Sequence, residues 1–255
     1  MMGTRQRKRP VSSRRRRRRR IRRIQAWTAR ILVVAFALFL CFLLAFGGRW
    51  IWERLNGDAE EAFWEGADPG LEVPDGEPVI VLDAGHGGED QGTSYGELLE
   101  KDLNLSVTLL LKERLQESGA AVVLIRDGDE KVELEERARI ANRLKADLFV
   151  SIHCNYCEDD EGVQGFECYY REGSEEGALL AEGILREIEG TGEIISRGLK
   201  TADFRVLRKT NMPAVLAELG YFSNGEERRR LADESYQEML AEHLAAGILA
   251  YEISN

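Results

Sequence analysis

From residue 78 onward, short uninterrupted apolar runs alternate with longer stretches in which apolar residues recur at helical spacing. An uninterrupted apolar run of about six residues is typical of a strand buried on both faces of a sheet. Regular alternation of such strands with helices indicates a largely parallel sheet. We therefore expect an α/β fold with an open, twisted sheet of about six strands and helices on both faces.

The bounds of the predicted elements follow from the same pattern. Strands are predicted at residues 78–83, 121–126, 147–152, 163–170 and 214–219, and residues 204–209 alternate like an edge strand. Helices are predicted at residues 97–117, 134–147, 174–189 and 234–253. No internal repeat is visible, so residues 77–255 are expected to form one domain.

The charges of the chain are segregated between its two ends. Residues 1–30 hold fourteen of the 35 lysines and arginines and none of the 45 aspartates and glutamates. Residues 31–255 therefore keep 21 basic against 45 acidic side chains, a net charge of −24. A basic run of this kind suits either nucleic acid or a membrane surface.

The segment after the basic run favours the membrane. Residues 31–48 are eighteen uncharged, mostly apolar residues, and a helix of that length spans roughly 27 Å. The stretch exceeds the usual apolar region of a cleaved signal peptide and lacks a clear cleavage site, so we expect an uncleaved anchor, with cleavage as the alternative. The positive-inside rule then predicts that residues 1–30 are a cytoplasmic tail, that 31–48 cross the cytoplasmic membrane once, and that the rest is extracytoplasmic. Nucleic acid is not expected as the main partner, and the acidic residues 49–76 are expected to be a linker.

Potential ligand side chains follow three of the predicted strands. The first strand runs into His86, the third reaches His153, and the late strand reaches Glu218. In open α/β sheets, sites form beyond the carboxyl ends of the strands, so these side chains are expected to meet. The remaining histidine, His243, lies within the closing helix and is expected at its surface.

Two histidines and a carboxylate suit a catalytic Zn²⁺, which keeps three protein ligands and one open position. His86 and His153 supply two ligands, although a histidine at a strand end can also be structural. The third ligand is expected to be a carboxylate following the first strand, and spacing alone leaves four candidates: Glu89, Asp90, Glu97 and Glu100. Glu218 on a buried strand is costly to bury unless it has a partner, which favours a functional role.

Small residues and cysteines surround these positions. Gly85, Gly87 and Gly88 are expected to let the backbone turn sharply where a side chain would collide with the metal site. Cys154 is adjacent to His153 on a strand, so its side chain should face the opposite side. Cys154, Cys157 and Cys168 allow one disulfide, and its pairing stays open.

Four separated segments resemble the zinc-dependent N-acetylmuramoyl-L-alanine amidases of bacterial cell walls, in the order and spacing of that family. They are VIVLDAGHGGEDQGT, ELLEKDLNL, ANRLKADLFVSIHCN and PAVLAELGYFSN, and the likeness covers about residues 77–253. The resemblance implies that one Zn²⁺ is held by His86, Glu100 and His153, and that Glu218 is the catalytic glutamate. It thereby selects Glu100 among the four carboxylates.

The resemblance also implies a substrate, peptidoglycan, and a reaction, hydrolysis of the amide between N-acetylmuramic acid and L-alanine in cell-wall or spore-cortex remodelling. The alternatives are a non-catalytic peptidoglycan-binding scaffold and a zinc carboxypeptidase acting on the same polymer. Since all four site residues are present, the enzyme is favoured over the scaffold. Arg208 and Asn211 precede the last strand and are expected near the same rim, where the planar donors of Arg208 could receive a substrate oxygen.

Overall fold

The computed structural model describes residues 78–254 of the chain. Its strands are β1 (Val79–Ala84), β2 (Ser94–Tyr95), β3 (Leu98–Leu99), β4 (Ala121–Leu124), β5 (Leu148–Asn155), β6 (Phe166–Tyr170), β7 (Ser196–Thr201) and β8 (Ala214–Tyr221). Its helices are α1 (Glu100–Glu117), α2 (Leu134–Arg143), α3 (Glu175–Gly190), α4 (Arg205–Lys209), α5 (Gly225–Leu231) and α6 (Glu234–Ser254).

Six of the strands form one sheet in the order β4-β1-β5-β8-β6-β7. The four strands β4, β1, β5 and β8 are parallel to one another, β6 runs antiparallel to β8, and β7 runs parallel to β6. The predicted six-stranded, largely parallel sheet is confirmed. Because β1, β5 and β8 point the same way, their carboxyl ends share one edge of the sheet.

Helices cover both faces of the sheet, as predicted. Alternate side chains of a strand face opposite sides, and β1 shows this clearly. Ile80 and Leu82 enter the larger core with apolar side chains of α1, α3 and α6. Val79 and Val81 enter a smaller core with side chains of α2 and α4.

The predicted edge strand at residues 204–209 is wrong, because residues 205–209 are the short helix α4. Val206 and Leu207 are both buried in the smaller core. Two consecutive residues of a strand would face opposite sides, whereas neighbours on a helix can share a face. The edge strand is instead β7, eight residues earlier in the chain, where it pairs with β6.

Two predicted helices are shorter than their apolar pattern suggested. The first begins at Glu100 rather than at residue 97, because Leu98 and Leu99 pair with Ser94 and Tyr95 in a small hairpin. The second ends at Arg143, and Lys145 just beyond it has φ of 51°, in the left-handed region where a helix cannot continue.

All three cysteines among residues 78–254 are free, so none of the disulfides that the sequence left open is formed there. Cys154 lies in the larger core, as the strand alternation predicted. None of the helices in this part of the chain is long and apolar enough to cross a membrane. The predicted tail, anchor and linker at residues 1–76 lie outside the described residues and stay predictions.

Candidate active site and metal centre

Three potential metal ligands meet at the carboxyl edge of the parallel strands. His86 follows β1, His153 lies near the end of β5, and Glu100 is the first residue of α1. Oε1 of Glu100 lies 3.1 Å from Nε2 of His86 and 3.3 Å from Nδ1 of His153. One potential ligand atom from each residue lies within 4.8 Å of the others, which is close enough for a single ion.

The loop that carries His86 has a backbone that depends on its glycines. His86 itself has φ of 62°, an uncommon conformation for a residue with a side chain, and Gly87 follows with φ of 130°. A Cβ atom on Gly87 would come within 2.1 Å of the carbonyl oxygen of Glu130. The predicted need for glycine in this turn is confirmed, although at Gly87 the crowding comes from backbone and not from the site.

Two buried arginines fix the same loop through its carbonyl oxygens. Arg126 donates to the carbonyls of Ala84 and Gly85 at 2.8 and 2.9 Å. Arg137 donates to the carbonyls of Ala84 and His86, both at 2.8 Å. Its charge is balanced by the buried carboxylate of Asp83, at 2.6 Å. The position of His86 is therefore determined by side chains of β1, α2 and the segment after β4.

Glu100 is almost completely buried and is held at both carboxylate oxygens. The backbone N–H of Thr93 donates to Oε2 at 2.8 Å, and that of Cys154 donates to Oε1 at 3.1 Å. Burial by itself would raise the pKa of this carboxyl group, but hydrogen bonds and charge from the two histidines hold it well below its usual range. Glu100 is thus a fixed anion pointed at both imidazoles.

The other ring nitrogen of His86 faces a second carboxylate. Nδ1 lies 3.0 Å from Oδ2 of Asp90. Burial alone would lower the pKa of His86, but Glu100 and Asp90 outweigh it and raise this pKa to about 9. A carboxylate behind a histidine orients the ring and raises its basicity, as it does around many metal sites.

The donor set of this cluster fits a divalent metal. Two imidazole nitrogens and one carboxylate oxygen converge at short range. A cation bound to all three would replace the protons that they otherwise share. His86, Glu100 and His153 are the residues that could hold it. Three protein ligands leave a fourth position for water or substrate in a tetrahedral site.

Of the four carboxylates that spacing left open, the structure brings Glu100 to both histidines. Glu97 is exposed in the hairpin between β2 and β3. Glu89 is exposed and pairs with Lys131 at 2.9 Å. Asp90 reaches only the far side of the His86 ring.

Glu218 lies beside the cluster without joining it. It is opposite His153 in the register of β5 and β8. Its Oε2 atom is buried and has no hydrogen-bond partner. Burial, reinforced by the charges of Glu100 and Glu167, raises the pKa of Glu218 to about 7, despite the opposing effect of the two histidines. A carboxyl group with this pKa can both accept and donate a proton near neutral pH.

Comparison with known proteins identifies the family of the chain. The model of the N-acetylmuramoyl-L-alanine amidase family matches residues 80–250. The chain belongs to that family. Its reaction is therefore hydrolysis of the amide bond between N-acetylmuramic acid and L-alanine in peptidoglycan.

Individual relatives of the amidase support the same assignment. The probable cell wall amidase LytH of Staphylococcus epidermidis is 31% identical over an alignment of 216 positions that covers 80% of this chain and 72% of LytH. The structure of the amidase AmiC2 of Nostoc punctiforme is 41% identical, has a TM-score of 0.67, and matches 71% of this chain and 99% of AmiC2. The CwlD amidase of Clostridioides difficile, solved in complex with the GerS lipoprotein, is 32% identical with a TM-score of 0.66, over 70% of this chain and 100% of CwlD.

Three residues singled out from the sequence lie apart from the amidase cluster. Arg208 lies on α4 and donates to Asp203. Asn211 precedes the amino end of β8, and its backbone N–H donates to Asn142 at the end of α2, whereas Glu218 lies toward the carboxyl end of β8. These contacts join Arg208 and Asn211 to Asp203 and Asn142 rather than to Glu218, and a role of either residue in substrate binding stays a prediction. His243 is half-buried on α6.

Sequence reasoning missed the residues that position the amidase site. Arg126 and Arg137 are buried polar side chains that donate to carbonyl oxygens of a loop distant in sequence. Glu167 is buried on β6 and opposite Glu218 in the strand register. A charged residue inside an apolar strand, as in the segment FECYY, was the available signal for Glu167.

Proposed function

We propose that this amidase works with a single zinc ion held by His86, Glu100 and His153, and that Glu218 moves the protons of the reaction. The observation that supports the proposal most strongly is the convergence of three ligand atoms beside a buried carboxylate oxygen that has no partner. If the cluster were only a structural network of ion pairs, the buried oxygen of Glu218 would be expected to have a partner, because burying an unpaired carboxylate is costly.

When bound, zinc supplies Lewis acidity: it lowers the pKa of a water molecule to about 7 and polarises the carbonyl to be attacked. Amide hydrolysis further needs a proton removed from water and a proton given to the departing amine of L-alanine. Glu218 carries both transfers in turn, first as a carboxylate and then as a carboxylic acid. Its raised pKa suits this exchange of roles.

The residues around the ligands keep their geometry constant. The carboxylate of Asp90 lies 3.0 Å from Nδ1 of His86, on the side of the ring away from Glu100. The backbone N–H groups of Thr93 and Cys154 hold the carboxylate of Glu100, which is thereby prevented from rotating away from the histidines. Outer contacts of this kind typically change metal affinity by about 10–100-fold when they are removed.

We also propose that residues 31–48 anchor the enzyme in the cytoplasmic membrane as a single-pass protein. Fourteen basic residues on one side of this uncharged stretch support an orientation with the tail in the cytoplasm. The catalytic domain then lies on the outer side, with peptidoglycan as its substrate. The anchor would keep the enzyme near the wall.

The test is digestion of purified peptidoglycan by the full-length protein in detergent, followed by mass spectrometry of the soluble fragments. We expect glycan strands free of peptide and stem peptides with a new amino-terminal alanine. A chelator should abolish the release and added Zn²⁺ should restore it. Loss of a carboxy-terminal residue alone would indicate a carboxypeptidase, and binding without release would indicate a scaffold.

A further inference from the structure

A buried carboxylate near the site forms ion pairs with two partly exposed cationic side chains. Glu167 on β6 is completely buried. Its Oε1 atom accepts from Nε of Arg197 at 2.7 Å and from Nζ of Lys200 at 2.5 Å, both from the edge strand β7. An ion pair in which two cations share one buried carboxylate oxygen leaves positive charge uncompensated.

The rest of the environment of Glu167 consists of neutral donors. The hydroxyl groups of Tyr169 and Tyr221 donate to its two oxygens at 2.7 and 2.8 Å, and Nδ2 of Asn155 donates at 3.0 Å. Glu167 therefore accepts five hydrogen bonds and has no capacity to bind substrate itself. Its role is to hold the two cations.

The two cations keep free donors that face solvent. Arg197 is 38% exposed and Lys200 is 35% exposed. Each donates to Glu167, Arg197 also bonds the side chain of Tyr221, and both have further donors. The rings of Tyr221 and Tyr169 lie beneath them, with the Arg197 guanidinium carbon 5.4 Å and Lys200 Nζ 5.9 Å from the ring centroids. Glu167 and the two tyrosine rings therefore hold the two cations in place, and both cations remain partly exposed to solvent. They lie in a domain whose net charge is strongly negative.

The strand register places Glu167, which holds this pair, in the same row as the metal cluster. His153, Glu218 and Glu167 occupy one row across β5, β8 and β6. Neighbouring strands lie about 4.8 Å apart, so Glu167 is about 10 Å from His153. An extended peptide advances roughly 3.5 Å per residue, so a group two residues beyond the scissile carbonyl can reach this position.

We propose that Arg197 and Lys200 form a subsite that binds a carboxylate of the peptide substrate, carried by the second residue after the scissile bond. The subsite rests on the proposed function, because it assumes that the peptide is the leaving group of the reaction at the metal. The planar donors of Arg197 match a carboxylate, and Lys200 adds a second charge. The subsite selects peptides with a free carboxylate over those in which the same group is amidated.

The test compares two muropeptide substrates. One is N-acetylmuramoyl-L-Ala-D-Glu-L-Lys, in which the second residue has a free carboxylate, and the other is the same molecule with that carboxylate converted to an amide. Full-length wild type, Arg197→Gln and Lys200→Gln are assayed on both. Arg114→Gln is the matched control: Arg114 is a similarly exposed arginine at 43%, paired with Glu117 near the far end of α1. Zinc content and thermal unfolding are measured for every protein.

We expect each subsite variant to raise KM for the carboxylate substrate by about tenfold or more, with kcat and zinc content little changed. KM for the amidated substrate should stay near the wild-type value in all the proteins. A variant that lowers turnover of both substrates equally would show that the cations only support the fold, and would overturn the subsite. If wild type cleaves neither substrate nor peptidoglycan, the proposed function fails instead. Should Arg197→Gln fail to fold, Lys200→Gln alone decides, and unchanged KM values there would overturn the subsite.

Discussion

Glu218 lies directly opposite His153 on the neighbouring strand, yet one of its carboxylate oxygens has no hydrogen-bond partner in its buried position. A fold that satisfies Glu167 with five donors one strand away leaves Oε2 of the half-buried Glu218 without a partner. Unpaired buried carboxylates lower the stability of a fold. The arrangement is explained if the missing partner of Glu218 is a water molecule or the substrate.

Replacement of this carboxylate should separate catalysis from metal binding. Glu218→Gln keeps the shape of the side chain and removes its ability to accept a proton. We expect full zinc content and normal thermal unfolding, with kcat lowered by about 10²–10⁴-fold on a muropeptide substrate. Near-normal turnover by the zinc-loaded variant would show that another residue carries the protons.

The choice of Glu100 over Glu97 can be tested by metal analysis. Glu100→Ala removes the oxygen that lies between the two histidines. We expect it to abolish stoichiometric zinc, as should His86→Ala and His153→Ala, because each removes one of three ligands. Glu97→Ala is the matched control and should retain one zinc per chain. Zinc loss from that variant, with Glu100→Ala still loaded, would reverse the assignment.

Gly85 should be needed for the space that it leaves beside the His153 ring. A Cβ atom at Gly85 would lie 2.2 Å from Cε1 of that ring, so Gly85→Ala must displace the imidazole. We expect zinc affinity to fall by about 10–100-fold in a chelator competition. Gly190→Ala is the control, since nothing lies within 4 Å of a Cβ atom there. Equal affinities for the two variants would contradict the geometry.

Glu167 should make the stability of the protein depend on pH in the acid range. Burial would raise the pKa of this carboxyl group, but the donors around it, Lys200 first, lower its pKa from 4.5 to about 2. A lowered folded-state pKa stabilises the protein above pH 4.5, and this stabilisation is lost as the pH falls toward 2. Glu167→Gln should therefore cost up to about 3 kcal/mol of unfolding free energy at pH 7, and less at about pH 3.

Denaturant unfolding of wild type and Glu167→Gln at several pH values measures this difference. Glu182→Gln, at an exposed position on α3, is the control and should leave stability unchanged at every pH. A destabilisation by Glu167→Gln that stays constant from neutral to acid pH would show that the loss comes from packing rather than from charge.

The membrane orientation is tested by protease accessibility. Protease added to intact spheroplasts should degrade the catalytic domain and leave an epitope tag at the amino terminus intact, because residues 1–30 are expected inside. Permeabilised cells, in which both ends become accessible, provide the control. Protection of the catalytic domain in intact spheroplasts would overturn the proposed topology.

The sequence was most informative where a strand is buried on both faces. The runs around Ile80, Val150 and Val215 are continuous apolar segments, and each became a central strand of the parallel sheet. Their shared direction then placed His86, His153 and Glu218 at one edge. Edge elements carried little signal: β7 has the sequence SRGLKT, whose side chains are mostly half-exposed, and it was missed.

Residues that act through long-range contacts could not be predicted from local patterns. The role of Glu167 depends on the register between β6, β7 and β8, which no local periodicity specifies. Arg126 lies 41 residues from Gly85, whose carbonyl it binds. The same limit applied to Asn211: its closeness in sequence to β8 suggested the active-site rim, but the direction of that strand places it toward the opposite edge.

The bonds from Arg126 and Arg137 to the carbonyls of residues 84–86 have a consequence for how the ion is acquired. They join backbone to guanidinium and involve neither a ligand atom nor a metal. The loop that presents His86 therefore has its conformation before an ion binds. Ordering the loop consequently reduces the binding free energy of the ion only slightly. We therefore expect the metal ion to bind and dissociate while this loop keeps the same conformation.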